Sequence, residues 1–180
     1  PDSAGDWRML RALRKAGFNR ISLGMQSADD AELRAIGRVH THRETVEAVE
    51  CARAAGFENL SLDLIYGLPE QTAARWRANL TAALALAPEH LSCYGLKVEE
   101  GTPLYARREE AALPDDDAQA EAYLYAASTL EAAGYAQYEI SNFARPGWES
   151  RHNLKYWTMQ EYLGFGPGAH SDFGGRRFAA

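Results

Sequence analysis

Residues 55–69 read AGFENLSLDLIYGLP, and this stretch contains a helix end, a strand and a turn in succession. Gly56 stands where a helix ends in a left-handed cap, a conformation that glycine adopts without a steric penalty from Cβ. The alternating leucines that follow predict a strand with one apolar face. Gly67 and Pro69 then favour a sharp turn out of the strand. The stretch therefore predicts one strand of a helix–strand repeat.

The same pattern occurs elsewhere in the chain. Gly17 ends a helical segment 39 residues before Gly56, and the strand-like residues 19–24 follow it. A third strand is predicted at 90–95, and a further candidate at 137–140 follows another Ala-Gly-Tyr step. Helical patterns separate these strands, so we expect an α/β fold of right-handed βαβ units with a parallel sheet. Units of this length suit a barrel of βα pairs, which places ligands at the carboxyl ends of its strands.

Bulk composition narrows the classes of partner. The 180 residues are 46% hydrophobic and carry a net charge of −6, which argues against nucleic acid as the main partner. No apolar run reaches the roughly 18 residues of a membrane span. The two cysteines, Cys51 and Cys93, are too few to ligate an iron–sulfur cluster, and we expect buried thiols in a reducing cytoplasm.

Three polar residues stand at or near predicted strand ends. Asp63 interrupts an apolar strand, so its carboxylate either hydrogen-bonds to a neighbouring strand or faces a ligand in the barrel mouth. Gln26 ends its strand and is either a loop-capping amide or a ligand contact. Arg38 follows a short helix and reads from sequence alone as a solvated cation. His40 and His42 lack an evident third metal ligand and suggest a polar loop.

The last third of the chain holds two further candidates. Residues 152–157 read HNLKYW, a density of His, Tyr and Trp that suits a flat aromatic ligand, since imidazole can ligate iron. An amphipathic surface helix with a packed Trp explains the same residues equally well. Residues 164–170 read GFGPGAH, which fits neither a P-loop nor a dinucleotide fingerprint. That stretch suits either a close backbone approach to a ligand or an irregular turn.

Several segments together resemble one known family. Residues 19–27 (NRISLGMQS), 37–40 (GRVH) and 63–72 (DLIYGLPEQT) follow the order and spacing of its motifs. The family is that of the radical S-adenosylmethionine (AdoMet) proteins, specifically the oxygen-independent coproporphyrinogen oxidases and their haem-chaperone relatives. The resemblance implies a partial six-stranded βα barrel. It assigns residues 1–112 to the C-terminal half of that barrel and 113–180 to a helix and the start of an α+β region.

The resemblance also implies roles for single residues. Gln26, Arg38 and Asp63 align with residues that bind AdoMet at the open end of the barrel. Lys97 and His170 fall where relatives approach the same ligand. The family's [4Fe-4S] cluster is held by a CxxxCxxC loop, which we expect upstream of Pro1. The chain is therefore expected to be a fragment without cluster ligands of its own, and inactive when isolated.

The HN-x-x-YW hexapeptide resembles the haem-chaperone branch, which makes His152 the candidate haem contact. The implied function is to bind haem and to deliver it to acceptor proteins. The alternative is oxidative decarboxylation of coproporphyrinogen III, with a porphyrinogen rather than haem as the bound tetrapyrrole.

Overall fold

A computed structural model describes residues 7–179 of the chain. Helices and strands alternate through its first half, as the sequence predicts. In chain order the first elements are α1 (Trp7–Lys15), β1 (Arg20–Gln26), α2 (Asp30–Ala35), α3 (His42–Ala54), β2 (Asn59–Tyr66), α4 (Ala73–Ala85) and β3 (His90–Gly95). The later elements are α5 (Pro103–Ala106), α6 (Asp116–Ala132), β4 (Ala136–Gln137), β5 (Asn142–Ala144), α7 (Arg151–Trp157), β6 (His170–Phe173) and β7 (Arg176–Ala179).

The main sheet has the strand order β1-β2-β3-β5-β4. Strands β1, β2 and β3 are parallel, whereas β5 runs antiparallel to both β3 and β4. The predicted α/β fold with a parallel sheet is therefore confirmed, and an antiparallel pair extends it. None of the helices within residues 7–179 is long and apolar enough to cross a membrane.

The fourth strand differs from the sequence prediction. The strand expected at 137–140 ends at Gln137, and the chain pairs with β3 only from Asn142 onwards. Local hydrogen bonds explain the difference. The Gln137 amide donates to the carbonyl oxygen of Ile140 at 3.0 Å, and Glu139 accepts from the backbone N–H of Ser141 at 3.0 Å. Such bonds between side chains and nearby backbone compete with strand pairing and turn the chain here.

The core lies between the sheet and its helices. Leu60, Leu62 and Leu64 are fully buried on the apolar face of β2, as the alternation predicts. Trp76 of α4 packs in the same core, and its indole N–H donates to the carbonyl oxygen of Ala122 in α6 at 2.8 Å. Burial of this face holds the helices on one side of the sheet and leaves the polar face to the other.

The described residues form two compact units, one extending to Trp148 and the other beginning at Glu149. The second unit contains α7 and the antiparallel hairpin of β6 and β7. Helix α6 and strands β4 and β5 belong to the first unit. The domain boundary expected between residues 112 and 113 stays a prediction, because compactness alone does not define an evolutionary domain.

A buried carboxylate links the loops that follow β1 and β2. Glu32 is 1% exposed, and its Oε2 accepts hydrogen bonds from Ser27 (2.6 Å), Asn79 (2.8 Å) and Gln71 (3.1 Å). Gln71 in turn accepts from the backbone N–H of Gly67 at 2.9 Å. Because each donor comes from a different segment, Glu32 fixes the exits of both strands and α4 together.

A second buried polar group, His90, lies at the amino end of β3. The ring of His90 forms hydrogen bonds with the hydroxyls of Ser61 and Tyr138, each at 2.8 Å. Burial, assisted by the positive charge of Arg20, lowers the pKa of His90 to about 3. The imidazole is therefore neutral in the folded chain over the physiological range.

We expect Glu32→Ala to destabilise the fold by about 1–3 kcal/mol, because three buried donors lose their shared acceptor. Urea denaturation followed by circular dichroism measures the change. Glu47→Ala removes an exposed carboxylate that pairs with Arg43 and should cost less than about 1 kcal/mol. Equal losses in the two variants would contradict the structural role of Glu32.

Acid should weaken the fold through His90. Below about pH 6.5 the unfolded chain binds a proton that folded His90 does not bind until the pH approaches 3. The free energy of unfolding should therefore fall with decreasing pH across this window, by up to about 1.4 kcal/mol per pH unit from this group. Urea titrations at several pH values should show a smaller slope in His90→Gln. An unchanged slope would show that His90 titrates normally.

Candidate functional site

The carboxyl ends of the three parallel strands meet at one edge of the sheet, where α/β folds place their ligands. Gln26 is the last residue of β1, Asp63 lies within β2, and Lys97 follows β3 by two residues. Arg38 lies between α2 and α3, three residues after the end of α2. The first compact unit therefore contains all four of these predicted AdoMet residues.

Asp63 lies in a row of cross-strand neighbours. Its partner on β1 is Gly24, and its partner on β3 is Ser92. Both carboxylate oxygens accept hydrogen bonds from the Ser22 hydroxyl, at 3.1 and 3.0 Å. Burial raises the pKa of Asp63, while hydrogen bonds from Ser92 and Ser22 and the charge of Arg20 oppose that rise. The carboxylate is thus satisfied by serines and has no ion pair within residues 7–179.

Gln26 lies directly beside that row. The register of β1 against β2 shifts between Gly24 and Gln26, which is a bulge, and Gln26 adopts a left-handed φ of 61°. A Cβ on Gly24 would lie 2.6 Å from the Gln26 amide nitrogen, so that amide folds back over Gly24. Gly24 pairs with Asp63, so the amide covers the strand neighbour of that carboxylate.

Arg38 projects from the loop that Gly37 begins with a φ of 74°. The guanidinium is exposed and forms neither a hydrogen bond nor an ion pair with the residues that the structure describes. It lines a cleft together with Ile65, which is two residues beyond Asp63 on the same face of β2, and with Lys97. Lys97 is exposed and pairs with Glu99 at 3.1 Å.

These groups offer three kinds of recognition at one sheet edge. A half-buried carboxylate accepts hydrogen bonds from hydroxyl groups, an amide both donates and accepts, and an unpaired guanidinium binds an anion in a bidentate manner. The set suits a polar ligand that carries hydroxyls and a carboxylate.

The second compact unit contains the other two candidates. His152 is exposed near the start of α7, and its Nε2 forms a 2.9 Å hydrogen bond with the hydroxyl of Tyr156. The two rings meet edge-to-face with centroids 5.0 Å apart, and Tyr162 packs on Tyr156 in the same way at 4.6 Å. The imidazole is therefore oriented by an aromatic cluster rather than free to rotate.

His170 is the first residue of β6 and is exposed. A Cβ on Gly164 would overlap the carbonyl oxygen of His170, so glycine is required there for close backbone packing. Backbone packing within the second unit therefore explains the glycine at position 164.

Neither cysteine suits a metal site. Neither thiol forms a disulfide, Cys93 is fully buried, and that burial raises its pKa to about 12. No group of three or more His, Cys, Asp or Glu side chains that could hold a metal ion occurs among the described residues. His40 is buried instead, with its Nε2 3.5 Å from the carbonyl oxygen of Met25.

The structure adds residues that sequence reasoning missed. Ser92 lies opposite Asp63 in β3 and hydrogen-bonds to its carboxylate. Gly24 has no side chain and so leaves room for the Gln26 amide. Asn142 of β5 pairs with Ser92 and continues the polar row, and its buried Oδ1 has no hydrogen-bond partner within residues 7–179. Arg107 lines the same cleft as Arg38. The alternation of β1 could have flagged Gly24 as a gap on the polar face, whereas nothing local marks the other three.

Comparisons with known proteins place the chain among relatives. The Radical SAM superfamily model matches residues 1–81. The haem chaperone HemW of Bacillus subtilis is 46% identical over 170 residues, which are 93% of this chain and 45% of that protein. HemW of Synechocystis is 43% identical over 96% of this chain and 42% of its own length. The mitochondrial radical S-adenosyl methionine domain-containing protein 1 of Bos taurus is 42% identical over 96% of this chain and 39% of its own length.

Solved structures agree in fold. Coproporphyrinogen III oxidase HemN from Escherichia coli, a radical SAM enzyme, superposes with a TM-score of 0.76 at 26% identity, covering 92% of this chain and 41% of that one. Archaeal Elp3 of Methanocaldococcus infernus shares the fold at a TM-score of 0.61, with 23% identity over 67% of this chain and 29% of that one. The chain spans less than half the length of these relatives. It contains part of a radical SAM domain and is a homologue of the haem chaperones named HemW.

Proposed function

We propose that this chain belongs to a haem chaperone that binds haem and delivers it to acceptor proteins, with AdoMet and a [4Fe-4S] cluster as cofactors. The observation that carries the AdoMet part of the proposal is the bulge at the end of β1, which folds the Gln26 amide back over Gly24, the strand neighbour of Asp63. The names of the HemW relatives support the haem function.

The first unit fits AdoMet by its donors and acceptors. AdoMet carries two ribose hydroxyls, which suit the Asp63 carboxylate and the Gln26 amide. It also carries a carboxylate, which suits the unpaired guanidinium of Arg38. Lys97 lies in the same cleft as Arg38 and is a further candidate contact, and we retain His170 as another.

Cys51 and Cys93 do not fit the cluster, since their number is too small and Cys93 is inaccessible. We therefore propose that the cluster ligands of the full-length protein are not among the residues of this chain. When bound, the reduced cluster supplies an electron for the cleavage of AdoMet. The role of this chain's residues is to hold AdoMet at the strand ends.

For haem we propose His152 as the contact. Its exposed imidazole is pre-oriented by Tyr156, and its Nδ1 or Nε2 can serve as an axial ligand to iron. Ligation through Nε2 requires the hydrogen bond to Tyr156 to open. Neither cysteine forms a disulfide, which is consistent with action in the cytoplasm, and we propose that location.

A second function is favoured by the structural likeness to HemN. In that case the full-length protein would decarboxylate coproporphyrinogen III to protoporphyrinogen IX. An anaerobic assay with reduced cluster and AdoMet separates the two functions, because only the oxidase forms protoporphyrinogen IX. Haem transfer without that product supports the chaperone.

We expect Gly24→Ala to weaken AdoMet binding by the full-length protein about tenfold, since the new Cβ displaces the Gln26 amide, a loss of roughly 1.4 kcal/mol. Isothermal titration calorimetry measures the affinity. The control is the same substitution in a Gln26→Ala background, where it should add little because no amide remains to be displaced. A full additional loss in that background would contradict the role of Gln26.

His152→Ala should reduce haem affinity about tenfold or more, with AdoMet affinity and melting temperature unchanged. Absorbance titration with haem measures this effect. Tyr156→Phe keeps the ring packing, removes the competing hydroxyl and should bind haem at least as well as the wild type. Lys155→Ala is the matched surface control on the same helix. Unchanged haem absorbance in His152→Ala would remove His152 from the proposal.

A further inference from the structure

The cleft that contains Arg38 has a volume of about 390 Å³, which lies within the range of small-molecule sites. It is formed by the end of α2, strand β2, the segment after β3 and helix α5. Its walls combine apolar and cationic side chains. The lining side chains that matter here are Ile36, Arg38, Ile65, Leu96, Lys97 and Arg107.

The charged residues that line the cleft are all positive. Arg38, Lys97 and Arg107 are its charged lining residues, and no Asp or Glu lines it. This contrasts with the whole chain, in which 25 acidic residues outnumber 19 lysines and arginines. A cleft lined by charges of one sign focuses its field and attracts the opposite charge.

The three cations differ in how they are held. The Nη2 of Arg107 donates to the carbonyl oxygen of Ala35 at 2.6 Å, which fixes the guanidinium at the end of α2. Lys97 pairs with Glu99, but both side chains are exposed, so that ion pair is weak and easily exchanged. Neither arginine is ion-paired within the described part of the chain. All three cations are therefore available to an anionic ligand.

One AdoMet carboxylate requires a single bidentate cation, and Arg38 already supplies it. Lys97 and Arg107 remain beside an apolar wall of Ile36, Ile65 and Leu96. We propose that Lys97 and Arg107 bind a side-chain carboxylate of the tetrapyrrole, whose apolar edge contacts that wall. This inference rests on the proposed function, because it assumes that the bound ligand is haem or a porphyrinogen. Both tetrapyrroles carry propionate side chains, so the recognised chemistry is the same.

The test compares coproporphyrin III with its methyl ester, which lacks the negative charges, in the full-length protein and the same dilute detergent. Fluorescence titration measures both affinities. The variants are Lys97→Gln and Arg107→Gln. The control is Arg108→Gln, which removes a neighbouring charge that stacks on Tyr105 and does not line the cleft. AdoMet affinity is measured in every variant.

The free acid should bind at least about tenfold more tightly than the ester, and each cleft variant should lose about tenfold for the acid alone. Added salt should reduce the preference for the acid. Arg108→Gln should behave as the wild type, and AdoMet affinity should not change in Arg107→Gln or Arg108→Gln.

Equal binding of acid and ester, or unchanged acid affinity in both cleft variants, would overturn the inference and leave the His152 titration unaffected. A loss confined to AdoMet would overturn it as well and assign the extra cations to that cofactor. If the protein prefers the free acid as expected but does not transfer haem, the chaperone function is wrong and this carboxylate site is retained.

Discussion

The register of the parallel pair β1–β2 is the constraint on which the candidate site depends. It sets Gly24 opposite Asp63, and the bulge that follows turns Gln26 back over Gly24. A shift of one residue would exchange the two faces of β1 and move its polar side chains into the helix layer. The buried side chains of Leu23 and Met25 in β1 oppose such a shift, because each must stay on the helix side. Core packing therefore positions the binding groups.

Two buried polar side chains, Glu32 and His90, stabilise this arrangement near opposite ends of the parallel strands. Glu32 joins the strand exits through three donors, and His90 joins the strand beginnings through two hydroxyls. Neither side chain forms an ion pair within the described residues. Neutral partners avoid the desolvation of a second charge and still fix the geometry. These hydrogen bonds thus hold the strands whose carboxyl ends form the candidate site.

The site itself is open and cationic, in contrast to these buried side chains. Arg38 has no partner in the described chain, and Arg107 is held by a helix carbonyl. Such a surface is ready for an anion without first breaking a strong interaction. The function proposed above involves two ligands, AdoMet and a tetrapyrrole, and both carry carboxylates. Under that proposal, separate cations for each ligand would let one ligand leave while the other stays.

The sequence alone determined the alternation of helices and strands in the first half of the chain, the two faces of β1 and β2, and the identity of Asp63 and Gln26 as candidates. These features are local, because side-chain periodicity and glycine caps act over a few residues. The tertiary structure decided the register, the bulge, the antiparallel β5 and the cleft. Arg107 meets Ala35 across 72 residues of sequence, and such contacts depend on how distant segments pack. No local pattern encodes them.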